Sequence, residues 1–191
     1  MGQLEIFAAL LGVMNVMLVI RRSIWNYPSG IAMVSLYFFI FYDARLYADA
    51  LLQIFFLVIQ LYGWSNWLRS GRASGTVVVE RLGVGARLAW LAGTAVAVLV
   101  WGAAMARFTD AAAPFLDSAV AGLSVSAQWL LALRKIESWA LWIVVDLLAI
   151  GLFLSRGLEV TAALYALFLL LAVAGLFAWA RRIDAAAGEP A

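Results

Sequence analysis

The chain reads as long apolar runs cut by short polar stretches rich in arginine, glycine or aspartate. A helical membrane crossing needs about 20 mostly apolar residues at a rise of about 1.5 Å per residue, with about 17 tolerated. Cut at its polar punctuation, the sequence predicts seven such spans, at residues 4–20, 27–42, 46–68, 86–107, 111–133, 138–155 and 158–180. The first has no basic flank and no clear small-residue cleavage site, so it is expected to stay as a helix and not to act as a removable leader. The longest connection without an apolar span, residues 69–85, carries Gly71, Gly75, Gly83 and Gly85 among arginines and Glu80. That composition predicts a flexible, solvated loop, with a short strand over the valines at 77–79 as the alternative.

Shifted against itself by 112 residues, the chain brings Leu18 onto Leu130, Arg22 onto Arg134, Ile24 onto Ile136, Phe41 onto Phe153, Leu46 onto Leu158, Gly63 onto Gly175 and Trp67 onto Trp179, without a gap. Leucine matches are cheap in so apolar a chain, but the Arg, Gly and Trp matches fall at equivalent helix ends and interiors. Spans one to three then correspond to spans five to seven, and the fourth joins them. Units that begin four crossings apart run in the same direction, an arrangement in which a substrate site is expected near the midplane between repeats. The expected fold is an all-α integral membrane protein of seven transmembrane helices in a 3+1+3 order. It divides into a first repeat at about 4–68, a cytoplasmic linker at 69–85, a linker helix at about 86–107, a second repeat at about 111–181 and a short tail at 182–191.

Composition narrows the function. Of 191 residues, 66% are hydrophobic and 13% charged, and mean hydropathy is +1.00, which excludes a soluble or disordered chain and a basic nucleic-acid binder. With 0 His and 0 Cys there is no zinc site, no thiolate nucleophile and no Ser-His dyad, so neither a metal, nor a cofactor, nor a catalytic residue is expected. Charge placement orients the chain. An outside N-terminus puts Arg21, Arg22, Arg69, Arg72, Arg81, Arg87, Arg134, Lys135, Arg181 and Arg182 in the cytoplasm, against Arg45, Arg107 and Arg156 outside. The expected topology is N-terminus outside and C-terminus cytoplasmic.

Polar side chains within spans are costly unless they face protein or water, so they mark candidate sites. In the third span Asp49, Gln53, Gln60, Gly63 and Trp67 recur on one helical face. The two glutamines suit a neutral polar group because each amide both donates and accepts, although amides also serve simply to hold helices together. In the sixth span Trp139, Trp142 and Asp146 share a face, two indoles beside one carboxylate, which is the chemistry that holds a flat cationic ring. Trp139 also fits an interfacial aromatic belt; a carboxylate at the depth of Asp146 does not. Asn26, Tyr27, Pro28, Ser29 and Gly30 open the second span, as an ordinary capped helix start or as a hinge and gate. Tyr47 and Tyr165 are further aromatic candidates, and the 112-residue offset sets Tyr165 on Gln53. Thr161, Tyr165, Phe168, Ala172 and Gly175 trace one face of the last span, where small residues admit a close neighbour.

These segments together resemble the PnuC family of bacterial nicotinamide riboside transporters. The resemblance is carried by Asn26-Tyr27 with Gly30, by the stretches at 46–64 and 135–153, and by that at 157–175. It implies a seven-helix fold similar to SWEET proteins, a homotrimer in the inner membrane, and facilitated diffusion of a vitamin precursor that cytoplasmic phosphorylation then traps. It also implies that Gln53, Gln60, Trp139, Trp142 and Asp146 surround the substrate. Ser138 stands where the family often has Asn, and Glu159 where an apolar or aromatic residue is usual. Related branches carry thiamin, riboflavin or nucleosides, and thiamin offers the same cationic ring. A retinal photoreceptor would need a lysine in its last span, where Lys135 is not, and an intramembrane aspartyl protease would need a second deep carboxylate beside Asp146.

Overall fold

The computed structural model describes residues 3–43, 47–109 and 113–188, apart from the side chains of residues 3–5 and 47–49. Seven helices follow in order: α1 (Gln3–Ile20), α2 (Asn26–Asp43), α3 (Tyr47–Ser74), α4 (Val84–Phe108), α5 (Pro114–Ala132), α6 (Glu137–Ser155) and α7 (Glu159–Gly188). Among the described residues, five are long and apolar enough to cross a membrane, namely α3 to α7. Two helices run past their expected ends. α3 continues beyond residue 68 to Ser74, and α7 beyond 180 to Gly188, where Arg181, Arg182 and the alanines at 185–187 favour helix even though the apolar pattern stops.

Helix ends repeat at the 112-residue offset. At the end of α1 Arg22 takes a left-handed φ of 56°, its N–H donates to the Val19 carbonyl and that of Ser23 to Leu18. At the end of α5 Arg134 has φ 61°, its N–H donates to Leu131 and that of Lys135 to Leu130. Both are Schellman caps, built on arginine where glycine is usual. α5 itself starts on Pro114, whose missing N–H is no loss in a first turn.

The helices α1, α2, α3, α5, α6 and α7 each pack on the next, and α7 returns to α1, closing a six-membered ring. Among the described residues α4 packs along α5, tied by a Thr94–Ser126 hydroxyl contact of 2.7 Å, and reaches α6 through the Arg87–Glu137 ion pair; its Leu88, Leu91, Val96, Leu99 and Trp101 are exposed, as lipid-facing side chains are. Where the arginines cluster, the ring is filled by Tyr27, Trp67, Trp139 and Trp179, with Val19, Leu131 and Ala172 around them. Tyr27 meets Trp67 edge-on at 5.4 Å and Trp139 meets Trp179 edge-on at 5.5 Å.

Residues 75–83 are not the flexible loop their glycines predict. Val77 and Val79 are buried in the aromatic core, and Glu80 pairs with the α5–α6 turn as a short parallel bridge. The Glu80 N–H donates to the Arg134 carbonyl and the Ile136 N–H to the Glu80 carbonyl, each at 3.0 Å. Alternation sends the two valines inward and Val78 out, so the segment is a strap laid across the end of the ring. Lys135 holds the Glu80 carboxylate at 2.5 Å, Arg87 that of Glu137 at 2.8 Å and Arg81 that of Asp184 at 2.8 Å.

Candidate functional site

α2 starts inside the ring. Asn26 donates its amide to the Ser23 carbonyl at 2.6 Å, and the Asn26 carbonyl accepts from Ser29 Oγ at 2.9 Å and from Asn15 Nδ2 of α1. Asn15 also donates to Ser29 Oγ at 3.0 Å. Gly30 leaves the space that Gln60 fills: a Cβ there would stand 3.0 Å from the Gln60 side-chain carbon and 3.1 Å from Asn15 Nδ2. Asn15, Gly30 and Gln60 thus form a buried polar level joining α1, α2 and α3. Gln60 Oε1 has no hydrogen-bond partner among the described residues. Seven residues separate Gln60 from Trp67, so this level lies about 10 Å deeper than the aromatic plug.

The plug has two equivalent halves. The Tyr27 hydroxyl lies over Gly63, where a Cβ would meet it at 2.6 Å, and the Trp139 ring lies over Gly175, where a Cβ would also meet it at 2.6 Å. Position 27 maps to 139 and 63 to 175 by the same 112-residue offset. Neither the Tyr27 hydroxyl nor Trp139 Nε1 has a hydrogen-bond partner among the described residues. Trp142 is half-buried against this core.

On α6 Asp146 is 4% exposed and makes no ion pair or hydrogen bond among the described residues. It lies seven positions past Trp139, on the same helix face and near the depth of Gln60. Tyr165 packs between Phe153 at 5.1 Å and Phe168 at 5.9 Å, within electrostatic reach of Asp146 and Tyr37. Gln53 stands apart from Gln60. It lines a mostly apolar cavity of about 230 Å³ between α2 and α3, with Val34, Ser35, Phe38, Ile54 and Leu57. Tyr47 and Asp49 belong to α3, but their side chains lie outside the described residues. Pro28 sits in the first turn of α2, between the buried Tyr27 and Ser29.

The structure therefore brings together Asn26, Tyr27, Gly30 and Gln60 on one side of the ring and Trp139, Trp142 and Asp146 on the other. Asn15 was missed by pattern alone, although a lone amide in the middle of an apolar span is itself a signal. The assembly sets two indoles, a carboxylate and one amide oxygen without a partner among the described residues around the ring interior. Among the described residues no group of His, Cys, Asp and Glu is placed to hold a metal.

A family model described as nicotinamide mononucleotide transporter matches residues 2–181. The nicotinamide riboside transporter PnuC of Escherichia coli (strain K12) is 27% identical over 201 residues, covering 92% of this chain and 84% of that protein. The protein of the same name from Neisseria mucosa is 34% identical over 152 residues, covering 76% and 57%. The riboflavin/roseoflavin transporter RibM of Streptomyces davaonensis is 27% identical over 176 residues, covering 89% and 81%. A crystal structure of the vitamin B3 transporter PnuC aligns with a TM-score of 0.75 at 30% identity, over 93% of this chain and 80% of that one. These relatives are transporters, not enzymes.

Proposed function

The chain belongs to the nicotinamide mononucleotide transporter family and is a multi-pass membrane transporter, and from that premise we propose that it carries nicotinamide riboside across the bacterial inner membrane by facilitated diffusion. The observation that carries the substrate reading is Asp146, a buried carboxylate with no cation beside it among the described residues, on one face with Trp139 and Trp142. Nicotinamide riboside brings a cationic pyridinium, which indole faces and a carboxylate complement, and a carboxamide and hydroxyls for Gln53, Gln60, Asn26, Tyr165 and Tyr47.

In this reading the chain crosses the membrane seven times, N-terminus outside and C-terminus cytoplasmic. Helices α1 to α3 and α5 to α7 are two like-oriented units joined by α4 in a SWEET-like 3+1+3 order, and three copies assemble as a homotrimer. The units rock against each other about a riboside held near the level of Gln60 and Asp146. The contacts of Tyr27 with Gly63 and of Trp139 with Gly175 part and re-form as the gate, with Pro28 and Gly30 as the hinge. Phosphorylation in the cytoplasm makes uptake one-way, so no coupled ion is needed.

A flavin is the second reading, because identity to RibM equals that to the Escherichia coli riboside transporter. Flavin has no fixed cation for Asp146 to neutralise. Calorimetric titration of the detergent-purified protein with nicotinamide riboside, thiamin, riboflavin and uridine tests the assignment. Tightest binding of nicotinamide riboside is expected; binding of riboflavin or thiamin without it would replace the reading.

A further inference from the structure

On the arginine-rich side, the ring ends in two places that are equivalent by the 112-residue offset, one neutral and the other positive. Around the second, positions 133, 134 and 184 are Leu133, Arg134 and Asp184. Arg134 lies 3.8 Å from Glu80, and Asp184 pairs with Arg81 at 2.8 Å, so that corner is neutralised from within. Around the first, the same positions are Arg21, Arg22 and Arg72. Arg21 and Arg72 form no ion pair among the described residues.

The three arginines line a cavity of about 360 Å³ together with Gly71, Gly75 and Thr76, and no carboxylate of the described residues lines it. Arg22 is fixed there twice, by its left-handed backbone and by Nη1 donating to the Val77 carbonyl at 2.7 Å. Burial first, and Arg182 nearby second, draw its pKa below the usual guanidinium range. Among the described residues the acids of this face, Glu80, Glu137 and Asp184, are already held by Lys135, Arg87 and Arg81. Positive residues are common on a cytoplasmic face, but a general excess does not require three to converge on one cavity while their counterparts 112 residues on are compensated.

We propose that this cavity binds a phosphate group, supplied either by an anionic lipid headgroup or by a free phosphate anion. Guanidinium forks match phosphate oxygens in geometry and charge, and basic pockets at a membrane face meet both sources. An occupied site would join the α1–α2 turn to the end of α3 and, through Arg22 and Val77, to the strap.

The test uses the full-length protein in neutral detergent and follows its unfolding temperature. The probes are inorganic phosphate against matched chloride, and short-chain phosphatidylglycerol against short-chain phosphatidylcholine. Arg21→Gln with Arg72→Gln removes the two exposed arginines of the cavity. Arg69→Gln with Arg181→Gln removes the same charge from the same face outside it. Stabilisation by phosphatidylglycerol alone assigns a lipid, and stabilisation by inorganic phosphate a free anion. In either case apparent affinity is expected to fall at least about tenfold in the cavity variant and little in the other. No response beyond the chloride and phosphatidylcholine controls, or equal weakening in both variants, would overturn the proposal.

Discussion

Trp67 and Trp179 each reach into the opposite half of the ring and make the same bond. The Trp67 indole N–H donates to the Leu131 carbonyl at 3.1 Å, the Trp179 indole N–H to the Val19 carbonyl at 3.3 Å, and their ring centroids lie 6.0 Å apart. Donors and acceptors both differ by 112 positions, and both tryptophans are 0% exposed. The two halves are therefore fastened at the arginine-rich end by one interaction made twice. Trp67→Phe and Trp179→Phe keep most of the ring but lose the donor, and each is expected to cost about 1–3 kcal/mol. Thermal unfolding in detergent checks this; a loss in one variant and none in the other would show that the bonds are not equivalent.

Gly63 and Gly175 are notches for Tyr27 and Trp139. A methyl group at either would sit 2.6 Å from the seated side chain, so Gly63→Ala and Gly175→Ala are expected to force the plug apart, costing about 1–3 kcal/mol. Uptake should fall in both. Trp139→Phe, which shortens the ring, should restore stability to Gly175→Ala. If Gly175→Ala transports normally without it, the notch is not part of the gate.

The strap responds to pH through Glu80. Its hydrogen bond from Lys135, with further attraction to Lys135 and Arg134, holds the carboxyl below its ordinary 4.5 despite an opposing contribution from burial. A depressed folded pKa means stability that is present above the ordinary value and lost as pH falls through the lowered one. Hydrogen exchange at residues 77–82 is therefore expected to quicken, after correction for intrinsic rates, as pH drops below about 4.5. Glu80→Gln should give fast exchange already at pH 7 and flatten the dependence; unchanged protection in that variant would mean the strap is held without the ion pair.

Asn15 holds the start of α2 through two bonds, to the Asn26 carbonyl and to Ser29 Oγ. Asn15→Ala is expected to destabilise by about 1–3 kcal/mol, since it strands buried polar groups, and to weaken riboside binding through the displaced Gln60. Unfolding and titration of the same sample measure both. Loss of stability with unaltered binding would confine Asn15 to folding.

The number and order of the helices were legible in the sequence, though not the ends of α3 and α7, because in lipid each backbone must satisfy its own hydrogen bonds, and an apolar run of the right length has few other forms. The offset was legible in Arg22 and Arg134, Gly63 and Gly175, and Trp67 and Trp179. What those pairs do was not. Nothing in a sequence says that an indole N–H will cross to a particular carbonyl, or that an arginine will adopt the φ normally left to glycine. The strap escaped because Gly75 and Gly83 flank it, while its order comes from partners some 55 residues away at Arg134 to Ile136. Gln53 and Gln60 share a helical face, but periodicity does not say that Gly30 opens a seat beside only one of them.

The reading of substrate and site together rests most directly on Asp146, and calorimetry on Asp146→Asn tests it. The amide keeps the shape and removes the charge. Nicotinamide riboside is expected to bind the variant at least about tenfold more weakly, about 1.4 kcal/mol, while uridine, neutral and flat, changes little. Undiminished binding of the cation, or equal losses for both ligands in a protein that unfolds at the normal temperature, would contradict a carboxylate that neutralises the transported ring.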